Sequence, residues 1–97
     1  MNGQIRISPD QMRGRAREYN SQADTVNGVI RQMDRLLRAL QDEWEGDASK
    51  AYEEKFEQLR PGFVAAEDLI REIADSLEAT AQSLEDTDAA IAGQFRR

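Results

Sequence analysis

Two apolar seams with one interruption between them set the limits on how this chain can fold. Met12, Ala16, Tyr19, Ala23, Val26, Ile30, Met33, Leu37, Leu40 and Trp44 recur at alternating intervals of four and three. A second run repeats the alternation through Tyr52, Phe56, Leu59, Phe63, Ala66, Ile70, Ile73, Leu77, Thr80, Leu84, Thr87 and Ile91. A repeat of about 3.5 residues places each set along one side of an α-helix. It does not suit a strand, whose faces alternate every second residue. The expected fold class is therefore all-α: a two-helix antiparallel hairpin that dimerises into a four-helix bundle.

The ends of the helices are marked locally. Ser8 is a good N-cap, Pro9 fits the first helical position, and Gln11 sits where a capping-box partner belongs. Helix one is expected over about 9–42 and helix two over about 48–92, within a single domain of residues 1–97. Between them, Trp44-Glu45-Gly46 supplies the turn, because glycine reaches positive φ without strain. Asp47 or Ser49 then caps the second helix. Gly14 and Gly28 fall away from the first seam and cost about 1 kcal/mol each relative to alanine. Pro61 removes one donor inside the second helix, predicting either a kink or a break into three helices. The unbroken phase through Phe63 and Ala66 favours the kink. Gly93 is expected to end the helix, and Thr80 and Thr87 make its last turns prone to fraying.

Charge favours folding the halves together. Residues 1–41 hold seven arginines against four acids, a balance of +3; residues 42–97 hold six basic residues against fifteen acids, a balance of −9, and together these give the net −6. Antiparallel packing of unlike helices lowers self-repulsion. A lone hairpin buries only one strip of each helix, against about 1–2 kcal/mol of backbone entropy per ordered residue. Small scaffolds offset that cost with disulfides, metals or association. The chain has no cysteine and no histidine, which leaves association, with Val29, Leu36 and Leu69 widening the seams for a second contact.

The same absences exclude most chemistry. Without histidine or cysteine there is no common general base, thiolate nucleophile or zinc-thiolate site, so neither an enzyme nor a cofactor is expected. The acidic stretches Asp42-Glu43, Glu53-Glu54 and Glu67-Asp68 lack an EF-hand loop and read as solvated helix faces. A net charge of −6 disfavours nucleic acid and anionic membrane surfaces. Met1 to Ser8 has no apolar run that could act as a secretory signal, and no stretch reaches the 18 apolar residues of a transmembrane span.

Trp44-Glu45-Gly46, at the midpoint of a 97-residue chain and between two long seams, resembles the mark of the WXG (ESAT-like) family of small type VII secretion substrates. Ile5-Arg6-Ile7-Ser8-Pro9 is similar to the family's N-terminal segment. Phe56-Glu57-Gln58-Leu59-Arg60-Pro61 resembles the middle of its EsxA/YukE-type branch. Leu84, Asp88, Ile91 and Phe95 fit a tail pattern associated in that branch with export, of hydrophobic and acidic residues at intervals of four, three and four.

The resemblance implies a substrate exported as a head-to-tail homodimer. The secretion ATPase would read the turn of one protomer, at Trp44 and Gly46, together with the tail of the other. It further implies a protein cytoplasmic before export and extracellular after it, without a cleavable signal peptide, and larger co-secreted substrates as possible partners. The residues leave two rival functions open, a membrane-perturbing virulence factor and an adaptor or chaperone for a larger secreted toxin. Trp44 also has a plainer reading as a core residue that plugs the end of the hairpin. The seam residues Val26, Ile30, Met33, Leu37, Leu40, Phe56, Leu59, Phe63, Ile70, Ile73 and Leu77 are expected to form the hairpin core and the dimer contact.

Overall fold

The computed structural model describes residues 7–44 and 46–95, Phe95 by its backbone alone. Expectations placed on Ile5, Arg6, Glu45 and the Phe95 side chain lie outside the described residues. Two helices pack antiparallel: α1 is Pro9–Glu43 and α2 is Asp47–Phe95. At 1.5 Å per residue, the 49 residues of α2 span about 74 Å. That matches the 78 Å long dimension of a rod only 24 by 18 Å across.

The start of α1 is closed by a full capping box. The Gln11 amide donates to the Ser8 hydroxyl at 3.1 Å, and the Ser8 amide donates to Gln11 Oε1 at 2.9 Å. Pro61 does not divide the second helix, which runs uninterrupted from Asp47 to Phe95. Gly93 does not end it either. One mid-helix glycine costs about 1 kcal/mol, and a glycine stop requires left-handed backbone. Among the described glycines only Gly46 has a positive φ.

Across the hairpin, Arg13 pairs with Glu85, Arg71 with Asp24 at 2.9 Å, and Arg60 with Asp34. These pairs set a register that puts Ala16 level with Ala81 and Ala23 level with Ala74. All four alanines are fully buried, alongside Met12, Ile30 and Phe56. The seams read from sequence therefore split. Val26, Met33, Leu37, Leu40, Phe63, Ile70 and Leu77 are half-buried, while Leu59 and Ile73 stand exposed on the outer side of the contact. The reason is geometric. Close antiparallel contact favours small residues, and the larger apolar side chains are displaced to one flank.

The hairpin is consequently two-sided. One flank carries the ion pairs and Asn27, whose side-chain amide donates to Glu67 at 3.0 Å. Arg71 donates to the same carboxylate through Nη2 at 2.9 Å and Nε at 3.2 Å. The other flank is apolar. Val29, Leu36, Leu59, Leu69 and Ile73 are exposed there, Leu36 at 58% and Leu69 at 59%. Leu59, Gly62, Phe63 and Ala66 line an open groove of about 220 Å³ on this side. Gly62 has open space where a side chain would stand, so another helix can approach closely.

Hydrogen bonds from Asn27 and then Arg71 hold the Glu67 carboxyl below the ordinary carboxylate range. A carboxylate with a lowered folded pKa adds stability that is complete above its unfolded value and is lost as pH falls through the folded value. Chemical denaturation should therefore show stability declining as pH drops below about 4.5, the usual glutamate value. Glu67→Gln should flatten that decline and lower stability at pH 7. An unchanged pH slope in Glu67→Gln would remove Glu67 from the account.

Candidate recognition sites at the turn and the tail

The turn is built by two residues with different tasks. Trp44 leaves helical geometry at φ −142° and ψ 110°, ending α1 with an extended step. Gly46 then reverses the chain at φ 120°, a backbone that side chains with Cβ rarely adopt. Its carbonyl accepts from the Lys50 amide at 3.4 Å, so Gly46 itself occupies the N-cap of α2. This corrects the expectation that Asp47 or Ser49 would cap the helix. Asp47 instead lies in the first turn, where a negative charge suits the helix dipole, and Ser49 is buried.

The Trp44 indole packs on Tyr52 with ring centroids 5.5 Å apart and planes tilted by 52°. Trp44 remains 37% exposed and Tyr52 53% exposed. The indole is thus a half-covered aromatic surface at one end of the rod, not a plug sealed inside the hairpin. Asp42, Glu43, Asp47, Glu53 and Glu54 are exposed around it. An amphipathic ring of this kind is suited to docking, because part of its apolar face is open to solvent.

The tail is at the other end. Leu84 is half-buried, Asp88 is exposed and Ile91 is 47% exposed. Their spacing, with Phe95 four residues on, places them along one helical face, and α2 stays helical through Phe95. Glu85 is the last α2 residue seen to pair with α1, through Arg13. From that pair α2 continues ten residues, whereas α1 begins only four residues before Arg13. The end of α2 therefore projects past the described start of α1. Turn and tail are separated by nearly the whole 78 Å of the rod.

Among the described residues no cluster of three acids is placed to hold a metal. No described helix is long and apolar enough to cross a membrane. The site residues named from sequence thus fall into three places: Trp44 and Gly46 at the turn, Leu84, Asp88 and Ile91 along the tail, and the seam residues between. The polar flank went unrecognised, although Arg13, Asn20, Asn27, Asp34 and Gln41 recur every seven residues beside the seam.

Comparison with known proteins gives a consistent picture. The family model described as "WXG100: Proteins of 100 residues with WXG" matches residues 4–89. The chain is 35% identical over 96 residues to Protein YukE of Bacillus subtilis, covering 99% of each. It is 28% identical over 91 residues to the type VII secretion system extracellular protein A of Staphylococcus aureus, covering 94% of each. The EsxA structure from Geobacillus thermodenitrificans superposes with a TM-score of 0.83 at 39% identity, covering 95% of this chain and 99% of that one. The secreted protein EsxB of Bacillus anthracis, at 19% identity and a TM-score of 0.81, shares the fold over 89% of this chain and 98% of its own.

The turn geometry separates two substitutions. Gly46→Ala should cost roughly 1–3 kcal/mol through backbone strain alone, since open space surrounds the position. Trp44→Ala should cost about 1–2 kcal/mol, short of the roughly 3–5 kcal/mol of a fully buried aromatic. Urea unfolding of both variants checks this. A loss above 4 kcal/mol for Trp44→Ala would place the indole in the core.

Proposed function

The chain belongs to the WXG100 family, whose members are small non-enzymatic proteins, and we propose that it is a type VII secretion substrate exported as a homodimer. The observation that carries this reading is the separation of turn and tail on a rod with one uncovered apolar flank. A second copy laid antiparallel on that flank brings each Trp44 turn beside the partner's tail. The composite surface then offers the secretion ATPase an aromatic turn and an apolar–acid–apolar helix face together. Leu36, Leu69 and Ile73 pass from water into the shared core, at about 25 cal/mol per Å² of apolar surface covered. Four helices in contact make the bundle that two helices cannot.

In this reading Leu84 and Ile91 anchor the tail in a groove of the export machine, Asp88 sets its orientation, and Phe95 extends the stripe. The name of the Staphylococcus aureus relative places that protein outside the cell, which supports export of this chain. Larger co-secreted substrates are further candidates for partners.

The test is distribution between culture supernatant and cell pellet, in strains with and without the secretion ATPase. The protein should appear outside only when the ATPase is present. Deleting Ile91 to Arg97 should abolish export while leaving helix content and assembly state nearly unchanged. Asp88→Ala should weaken export with a stability change within about 0.5 kcal/mol, as for other exposed positions. Normal export of the truncated chain would overturn the tail's role, and export without the ATPase would overturn the pathway.

A further inference from the structure

Both halves of the hairpin combine apolar contact with cross-hairpin ion pairs, Arg60 with Asp34 beside the turn, but in different proportions. Beside the turn, the inward contact is made by Ile30, Leu37, Phe56 and Phe63, large side chains that are buried or half-buried. Toward the termini it is made by Ala16, Ala23, Ala74 and Ala81, all fully buried, with Met12 buried and Leu77 and Leu84 half-buried beside them. Alanine removes little apolar surface from water, so the terminal half draws less hydrophobic stabilisation from its seam than the half beside the turn. Polar bonds stand in for it there: Arg13 to Glu85, Arg13 Nη2 to Gln82 at 3.2 Å, and Arg71 to Asp24 at 2.9 Å. Their side chains are open to solvent, with Asp24 the most exposed, and bonds of that kind are screened by salt.

We infer that the terminal half is a clasp that opens by itself, through loss of the Arg13 and Arg71 bonds, while the half beside the turn remains closed. The alanine pairing lowers the cost, because at the levels of Ala16–Ala81 and Ala23–Ala74 only small side chains lose their cover, leaving Met12, Leu77 and Leu84 as the larger apolar groups exposed. Opening frees Leu77, Ala81 and Leu84, which run directly into the end of α2 that carries the already exposed Asp88. A partner that grips the tail then gains two further helical turns on the same face. That consequence rests on the tail being an export signal, whereas the clasp itself is a property of the hairpin.

Hydrogen exchange on the full, unmodified chain tests it, at about 50 mM and 500 mM sodium chloride, a range over which screening of exposed charges changes strongly. At the higher salt, amides of 12–22 and 74–88 should exchange several-fold faster, and those of 28–40 and 54–68 should not change. Arg13→Ala at low salt should reproduce the acceleration in the terminal half alone. Because the chain has no cysteine, Ala16→Cys with Ala81→Cys allows a single cross-link, and oxidation should suppress the salt response. Equal exchange in both halves, with equal salt dependence, would mean one cooperative unit and no clasp. Loss of export on tail deletion speaks to the signal only, so the two ideas fail separately.

Discussion

Two helices in contact can bury one strip each, and the rest of this molecule follows from that limit. The apolar stripes of α1 and α2 are wider than one strip. When the helices close on Ala16, Ala23, Ala74 and Ala81, the larger residues Leu36, Leu59, Leu69 and Ile73 are left on one flank. The opposite flank is taken up by ion pairs of both senses, Arg13 of α1 with Glu85 of α2 and Arg60 and Arg71 of α2 with Asp34 and Asp24 of α1, with Asn27 bridging to Glu67. Sidedness is the result: a polar flank that belongs to water and an apolar flank that asks for cover. Exposed apolar area of this continuity marks an interaction surface more often than it marks plain solvent-facing protein.

The long axis supplies the second constraint. Gly46, at φ 120°, makes a reversal too short for either helix to drift, so the two seams must run side by side for the length of α1. The half-exposed Trp44 and Tyr52 are thereby fixed at one end, and Ile91 at the other. Function in this account comes from placing two modest features at opposite ends of a rod, then pairing two rods. Nothing is asked of any side chain beyond contact, which fits a chain lacking histidine and cysteine.

Much of this was legible in the residues. The alternation of four and three predicted two helices and the turn between them. Ser8, Pro9 and Gln11 marked the start of α1, because capping is a local matter of a few atoms. The division of each seam was not legible. Ile73 and Ala74 are neighbours in sequence, and periodicity cannot tell which of two adjacent columns faces α1. That choice depends on how closely the helices approach, which is a property of the pair. Gly93 misled for a related reason. A glycine near a helix end is a stop only if the backbone turns left-handed there, and here α2 simply continues to Phe95. The Asn27–Glu67–Arg71–Asp24 group was hidden as well, since its members are ordinary surface residues until the register brings them together.

The central claim is that the apolar flank is covered by a second copy of this chain, and mass in solution tests it most directly. Sedimentation equilibrium at micromolar concentration should report about twice the 11.0 kDa chain mass, with full helix content and dissociation only on dilution. A stably folded species of 11.0 kDa at that concentration, with Leu36, Leu69 and Ile73 left in water, would contradict the account.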